Sequence, residues 1–153
     1  MLNLNLRSKR RVYKVGYTTG VFDLFHVGHL NLLRNARALC EHLIVGVTTD
    51  EMVSYKGKHP VISYMDRAAV VEAIRYVDQV IPQDNLDKLI AWKKIKFDVL
   101  FVGDDWYDSP TWIDYESKLK DVNVDIIYFP YTKSISSTKI NQVLDEQRDS
   151  STK

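Results

Sequence analysis

The sequence predicts an α/β fold: a Rossmann-like, doubly wound parallel sheet of about five strands, with helices on both faces. Short apolar runs that are typical of buried strands alternate along the chain with runs of helical periodicity. Parallel strands need crossover connections, which helices provide with right-handed geometry. Polar motifs follow several of the strands, and ligands of such sheets bind beyond the carboxyl ends of the strands.

Five runs are predicted to be strands because they are short, rich in β-branched or aromatic residues, and bounded by turn residues. Proline and glycine end the last three, since neither residue favours the interior of a strand. The predicted strands are residues 12–17, 43–48, 77–81, 99–102 and 125–129, and the last three stop at Pro82, Gly103 and Pro130.

Helices are predicted between these strands. One begins at Ser63, where Asp66 three residues later resembles a capping box. Its predicted apolar face is Ala69, Val70, Ala73, Ile74 and Val77. The other predicted helices are residues 30–39, 86–94, 110–119 and 137–144. Residues 49–61 are polar and predict a loop, and the charged residues 145–153 predict a disordered tail.

Length and composition predict one soluble domain over residues 1–153, with its core at about 12–144. The net charge of +1 favours small ligands over a nucleic acid or a membrane, and the basic residues 7–14 are expected to be solvated. No apolar run approaches the roughly 20 residues that span a bilayer. A single cysteine, Cys40, fits a reducing cytoplasm and is expected to be packed.

The most informative stretch is residues 20–29, where a strand turns into a helix. Backbone N–H groups at a helix start are unpaired, and the helix dipole favours negative charge there. His26 and His29 are three residues apart, on the same side of the first turn. They predict a phosphate site; a surface pair is the bland alternative, and two histidines cannot close a zinc site.

A second polar segment, residues 134–140, opens the last predicted helix. Hydroxyl residues there are ordinary helix caps, and that interpretation stays open for this segment alone. Three consecutive hydroxyl residues followed by Lys139 exceed what one cap needs. Hydroxyls, free N–H groups and a cation together suit a polyphosphate. The segment is therefore predicted to meet the histidine turn at one site.

The motif at residues 21–29 and the motif at residues 135–138 resemble the cytidylyltransferase family, whose superfamily carries a histidine-glycine-histidine signature. The resemblance extends over about residues 13–144. Within the family, the motif at residues 103–106 most resembles the branch that uses glycerol-3-phosphate. A member of that branch transfers a cytidylyl group from CTP to glycerol-3-phosphate, which gives CDP-glycerol and pyrophosphate by in-line attack on the α-phosphorus.

The resemblance also implies roles for individual residues. The implied catalytic residues are His26, His29 and Arg75. The implied nucleotide-binding residues are Val21, Phe22, Asp23, Gly28, Lys58, Arg67, Asp104, Thr132, Ile135, Ser136, Ser137 and Thr138. Lys56 and Trp106 are implied to bind the phosphorylated alcohol, although Trp106 fits the core equally well. Mg²⁺ is expected to be carried with CTP, and no metal ligand among the side chains is assigned, since the roles of Asp104 and Asp105 stay open.

One departure from the family pattern falls beside the second motif. The family has an arginine where this chain has Tyr131, which keeps a hydrogen-bond donor but has no cation. Nearby Lys133 is a possible replacement. The departure leaves three hypotheses: the glycerol-3-phosphate reaction, the same chemistry with another phosphorylated alcohol or with ATP, and a nucleotide-binding regulatory protein without catalysis. The first implies a bacterial homodimer that feeds teichoic-acid or capsule synthesis.

Overall fold

The computed structural model describes residues 13–55, 57–103, 109–130 and 132–152. Strands and helices alternate along them, as the sequence predicts. The strands are β1 (Tyr13–Gly20), β2 (Cys40–Thr48), β3 (Gln79–Gln83), β4 (Val99–Gly103) and β5 (Asp125–Phe129). The helices are α1 (Val27–Leu39), α2 (Asp50–Tyr55), α3 (Tyr64–Glu72), α4 (Lys88–Ile95), α5 (Pro110–Lys120) and α6 (Ser137–Ser151).

All five strands pair in parallel, in the order β3-β2-β1-β4-β5. The order reverses at β1, which pairs with β2 on one side and with β4 on the other. At such a switch point the connections leave in opposite directions and open a crevice at the carboxyl ends of the strands. The prediction of a Rossmann-like parallel sheet is confirmed, and its switch point lies between β1 and β4.

Each face of the sheet has its own apolar core. Leu33 and Ala36 of α1 and Val71 of α3 pack with Phe101 in the first core. The second core, on the other face, includes Leu119 of α5. Cys40 is fully buried in the first core, as predicted. Among the described residues, no helix is long and apolar enough to cross a membrane.

Two predicted boundaries are wrong because local pattern did not decide them. The predicted loop at residues 49–61 contains α2, a six-residue helix. Asp50 and Glu51 lie in its first turn, where the helix dipole stabilises negative charge. Pro82 lies inside β3 instead of ending it. The lost N–H is tolerated there because β3 is the edge strand and pairs only with β2.

The predicted apolar face of α3 is partly wrong. The helix ends at Glu72, and it buries Arg67 and Val71 while Val70 remains 44% exposed. Ser63 is the N-cap but makes no side-chain cap bond to the backbone, so the predicted capping box does not form. Ser63 instead contacts the carboxylate of Asp66 at 3.3 Å.

The predicted disordered tail is also corrected, because α6 continues from Leu144 to Ser151. Hydroxyl groups hold the added turns locally, and Ser151 donates to the carbonyl of Gln147 at 2.9 Å. No described residue of α6 is fully buried, and residues 142–151 are all exposed, so the added turns extend along the surface.

Candidate active site

The histidine turn lies at the carboxyl end of β1, where the chain enters α1. His26 is the N-cap in an extended conformation, and its Nδ1 accepts from the Gly28 N–H at 3.0 Å. The N–H of His26 in turn donates to Nδ1 of His29 at 3.2 Å. Each imidazole therefore satisfies a backbone donor that the start of a helix leaves unpaired.

These contacts fix the tautomer of both imidazoles. A neutral imidazole carries one proton, and an Nδ1 that accepts a hydrogen bond leaves that proton on Nε2. The two rings stack with their centroids 3.8 Å apart and their planes at 25°. His26 and His29 thus present two Nε2–H donors side by side.

The surroundings keep both rings neutral. Burial lowers the pKa of His26. Burial and then the neighbouring His26 lower the pKa of His29 to about 4, although the carboxylate of Asp23 opposes this shift. Near pH 7 the pair is therefore neutral and can donate hydrogen bonds without carrying charge, as the neutral histidine donors of some enzymes do.

A cavity of about 300 Å³ opens beside the pair. It lies between the start of α1, the carboxyl ends of β4 and β5, and the start of α6. Its described lining is His26, Gly28, His29, Asn31, Leu32, Asn35, Gly103, Phe129, Pro130, Thr132, Ile135, Ser136, Ser137 and Thr138. The predicted meeting of the two polar motifs therefore occurs in the structure, in a volume that suits a small ligand.

The hydroxyl residues of the second motif are divided between structure and site. Ser136 is the N-cap of α6, and its hydroxyl accepts from the Lys139 N–H at 3.0 Å. The hydroxyl of Ser137 donates to the carbonyl of Asp23. The Nζ of Lys139 donates to the carbonyl of Ser134 at 3.1 Å. The motif thus caps a helix, ties it to the histidine turn and still lines the cavity.

Gly28 is required by close packing. A Cβ on Gly28 would lie 2.8 Å from Cε1 and 2.9 Å from Nδ1 of His26, and 3.5 Å from the Cβ of Thr132. Any larger residue must therefore displace the imidazole that the Gly28 N–H helps to orient.

Arg67 and Asp23 are near the site but bind the protein's own backbone. Arg67 is buried, with 1% of the residue exposed. It donates to the carbonyls of Ile62, Val21 and Thr48 at 2.7–2.8 Å, and to Asp50 at 2.7 Å. Those contacts engage all three of its nitrogens, so the structure gives Arg67 a cross-linking place that does not fit the predicted phosphate contact.

The remaining predicted residues fall in three places. Val21 and Phe22 follow β1 beside the histidines, and the ring of Phe22 packs edge-on against His29 with centroids 5.3 Å apart. Lys58 is exposed on the segment between α2 and α3. Lys56, Asp104, Trp106 and Tyr131 lie outside the described residues, as does Asp105.

Arg75 does not reach this site within one chain. It is exposed in the turn between the end of α3 and the start of β3. Asp78 in the same turn accepts from the Leu43 N–H at 2.7 Å, at the amino end of β2. The turn therefore lies at the amino ends of the strands, whereas the cavity lies at their carboxyl ends. The predicted catalytic contact of Arg75 is not made within one chain.

Sequence reasoning missed the part of the cavity that α1 contributes. Asn31, Leu32 and Asn35 follow Gly28 at steps of three, four and seven residues, which is the spacing of one helix face. Asn31 also donates to the hydroxyl of Thr132 at 3.3 Å. Two amides on the helix face that begins at the signature glycine were the available signal.

The protein-family model described as cytidylyltransferase-like matches residues 17–143, which is most of the chain. The chain belongs to the cytidylyltransferase-like family. It is 39% identical over 132 residues to the glycerol-3-phosphate cytidylyltransferase of Bacillus subtilis, which covers 82% of this chain and 92% of that protein. It is 41% identical over 128 residues to the protein of that name from Staphylococcus aureus, with 83% and 92% covered.

Other similar proteins carry a different name or come from solved structures. The chain is 37% identical over 134 residues to FAD synthase from Pyrococcus horikoshii, which covers 82% of this chain and 86% of that protein. A crystal structure of the lipopolysaccharide core biosynthesis protein from Thermoplasma volcanium is similar at a TM-score of 0.66 and 25% identity, with 80% of this chain and 99% of that one covered. The chain therefore belongs to a nucleotidyltransferase family whose members carry different names.

Proposed function

We propose that this protein transfers a cytidylyl group from CTP to glycerol-3-phosphate, giving CDP-glycerol and pyrophosphate. The observation that carries the proposal is the stacked pair of neutral Nε2–H donors beside a cavity at the switch point of the sheet. The relatives from Bacillus and Staphylococcus, at about 40% identity, support the choice of substrates.

The residues suit an in-line displacement at phosphorus. A phosphate oxygen of glycerol-3-phosphate attacks the α-phosphorus of CTP, and the bond to the bridging oxygen of pyrophosphate breaks. The nucleophile is already ionised near pH 7, so no general base is needed. Nε2–H of His26 and of His29 would donate to oxygens on which charge accumulates, and fixed donors of this kind cost little reorganisation.

Mg²⁺ would enter with the nucleotide. The described lining of the cavity offers imidazole, amide, hydroxyl and backbone groups rather than carboxylates. Such a lining fits an ion that is coordinated mainly by triphosphate oxygens and water, which is the usual arrangement for Mg²⁺ at nucleotide sites. The ion would screen the charge of the triphosphate, while the chain orients it.

The FAD synthase relatives favour a second candidate. Forming FAD joins an adenylyl group to a flavin phosphate, which is the same displacement with a different base and acceptor. Identity of 37% to the Pyrococcus protein is close to that of the glycerol-3-phosphate relatives, so the base and the acceptor must be tested together.

The experiment is pyrophosphate release with Mg²⁺, for CTP and ATP each combined with glycerol-3-phosphate, phosphocholine, phosphoethanolamine and FMN. We expect release with CTP and glycerol-3-phosphate. Release only with ATP and FMN would replace the first candidate by the second. Bound CTP without release in any combination would favour the regulatory hypothesis.

Alanine variants at His26 and His29 test the mechanism in the same assay. Each is expected to lower turnover by about 10²–10³-fold, since each removes one charge-stabilising donor. His42→Ala is the matched control, because His42 is exposed near the amino end of β2, away from the cavity. Turnover within a few-fold of the parent in both site variants would remove the histidines from the mechanism.

The proposal includes a cellular compartment and a use for the product. A reaction that consumes CTP fits the cytoplasm, and its CDP-alcohol product is an activated donor of the kind that a polymerising transferase for teichoic-acid or capsule polymers would consume. A homodimer is also proposed, and sedimentation of the purified chain at several concentrations tests it.

A further inference from the structure

Asp23 lies in a turn whose backbone is strained on both sides. Phe22 has a φ of 55° and Leu24 a φ of 49°, in the left-handed region that bulky L-residues rarely adopt. Such conformations persist when surrounding contacts determine the backbone more strongly than its own preference does. The contacts that hold this turn therefore matter for the site that follows it.

Asp23 supplies three of those contacts. Its Oδ2 accepts from the Val61 N–H at 2.8 Å, and its Oδ1 accepts from the Ile62 N–H at 3.0 Å. Its backbone carbonyl accepts from the hydroxyl of Ser137 at the start of α6. One residue thus joins the histidine turn, the segment before α3 and the second polar motif.

We infer that Asp23 is a positioning residue, which anchors the segment of residues 57–62 and the start of α6 to the strained turn before His26 and His29. Both of its carboxylate oxygens accept backbone N–H groups, so their charge is directed at the protein rather than at a ligand. A bare carboxylate facing a triphosphate would repel it. The segment that Asp23 anchors includes Lys58, whose predicted partner is that triphosphate.

The carboxylate is also placed to act on the site electrostatically. Asp23 raises the pKa of His29, against the larger lowering by burial and by His26. Asp23 lies in the turn three residues before His26.

Amide hydrogen exchange at Val61 and Ile62 tests the anchor directly, in the full chain without ligand. In Asp23→Ala, both amides are expected to exchange at least about tenfold faster, while core amides of β1 and β2 keep their rates. Asp23→Asn keeps one carbonyl oxygen and should give an intermediate rate. Unchanged exchange in Asp23→Ala would overturn the inference.

A paired substitution at Leu24 tests the strain. Glycine adopts positive φ at little conformational cost. Alanine also removes the leucine side chain beyond Cβ, but it keeps the conformational cost of positive φ. In the Asp23→Ala background, Leu24→Gly should therefore restore more nucleotide affinity than Leu24→Ala. Equal effects of the two substitutions would show that backbone strain at residue 24 plays no part.

Kinetics separate anchoring from direct ligand contact, and this arm rests on the proposed function, as does the affinity comparison at Leu24. Asp23→Ala should raise the KM for CTP about tenfold and change kcat less, with faster exchange at Val61 and Ile62. A higher KM with unchanged exchange would instead make Asp23 a ligand contact. A parent chain without turnover would refute the proposed function and leave the exchange test intact.

Discussion

At the scale of single residues, the site depends on how two imidazoles are held. His26 and His29 each accept a backbone N–H through Nδ1, which leaves the proton on Nε2. The helix start therefore orients the two imidazoles as well as attracting negative charge. The pair was recognisable from its spacing, whereas the tautomer depended on contacts that only coordinates show.

Gly28→Ala should separate activity from stability. Alanine is the better helix former, but its Cβ would lie 2.8 Å from the imidazole of His26 and displace it. We expect a melting temperature within a few degrees of the parent and a turnover at least about tenfold lower. Thermal denaturation and the pyrophosphate assay measure the two. Full turnover would show that the ring moves without consequence.

Stability should depend on pH through His29. Its pKa falls from an ordinary value of 6.5 to about 4 in the folded chain. Between those values the unfolded state binds more protons at this residue, so the free energy of unfolding decreases as the pH falls through that window. Above pH 6.5 His29 is neutral in both states, so the full stability is present there.

The check is urea unfolding at several pH values between 4 and 7, for the parent and for His29→Gln. The variant lacks the titrating ring, so its stability should fall less steeply over the interval, by up to about 1.4 kcal/mol per pH unit. Parallel profiles would mean that the pKa of His29 is not lowered by folding.

At the scale of elements, α3 contributes a cross-link rather than only an apolar face. Arg67 joins the ends of β1 and β2, the segment before α3 and Asp50 of α2. The family resemblance implied that this arginine lies at the site and contacts a phosphate. A buried guanidinium with protein partners has the same sequence signal as one that binds a ligand.

Arg67→Lys should lower the free energy of unfolding by about 2 kcal/mol, because one ammonium cannot satisfy three carbonyls and Asp50. Urea denaturation measures it. Arg148→Lys is the control, since Arg148 is exposed on α6 and its contact with Asp145 is long, at 3.9 Å. An effect at Arg67 no larger than at Arg148 would contradict the cross-link.

At the scale of the whole molecule, the topology separates Arg75 from the histidines with which the family resemblance had grouped it. The cavity lies at the carboxyl ends of the strands, and Arg75 lies in a turn at their amino ends. We expect Arg75→Ala to leave turnover within about twofold of the parent, as for most exposed surface substitutions. A large loss in the pyrophosphate assay would require a second copy of the chain to bring Arg75 to the site.

The sequence alone determined the α/β class, the alternation of strands and helices, and the two motifs that meet at the cavity. These depend on apolar periodicity and on short-range spacing, which are local properties. The ends of the helices and strands were harder to predict from the sequence. The presence of α2, the proline inside β3 and the length of α6 depend on neighbouring elements or on marginal local preferences.

Only the tertiary structure decided what each polar side chain faces. Asp23 and Arg67 bind backbone groups of segments distant in sequence, and Asn31, which no motif marked, lines the cavity. Hydrogen-bond partners are chosen by position in space, and a parallel sheet brings together the ends of strands that are far apart in the chain. The physical reason is that the spacing of residues within a motif fixes the relative directions of their side chains only over a few residues.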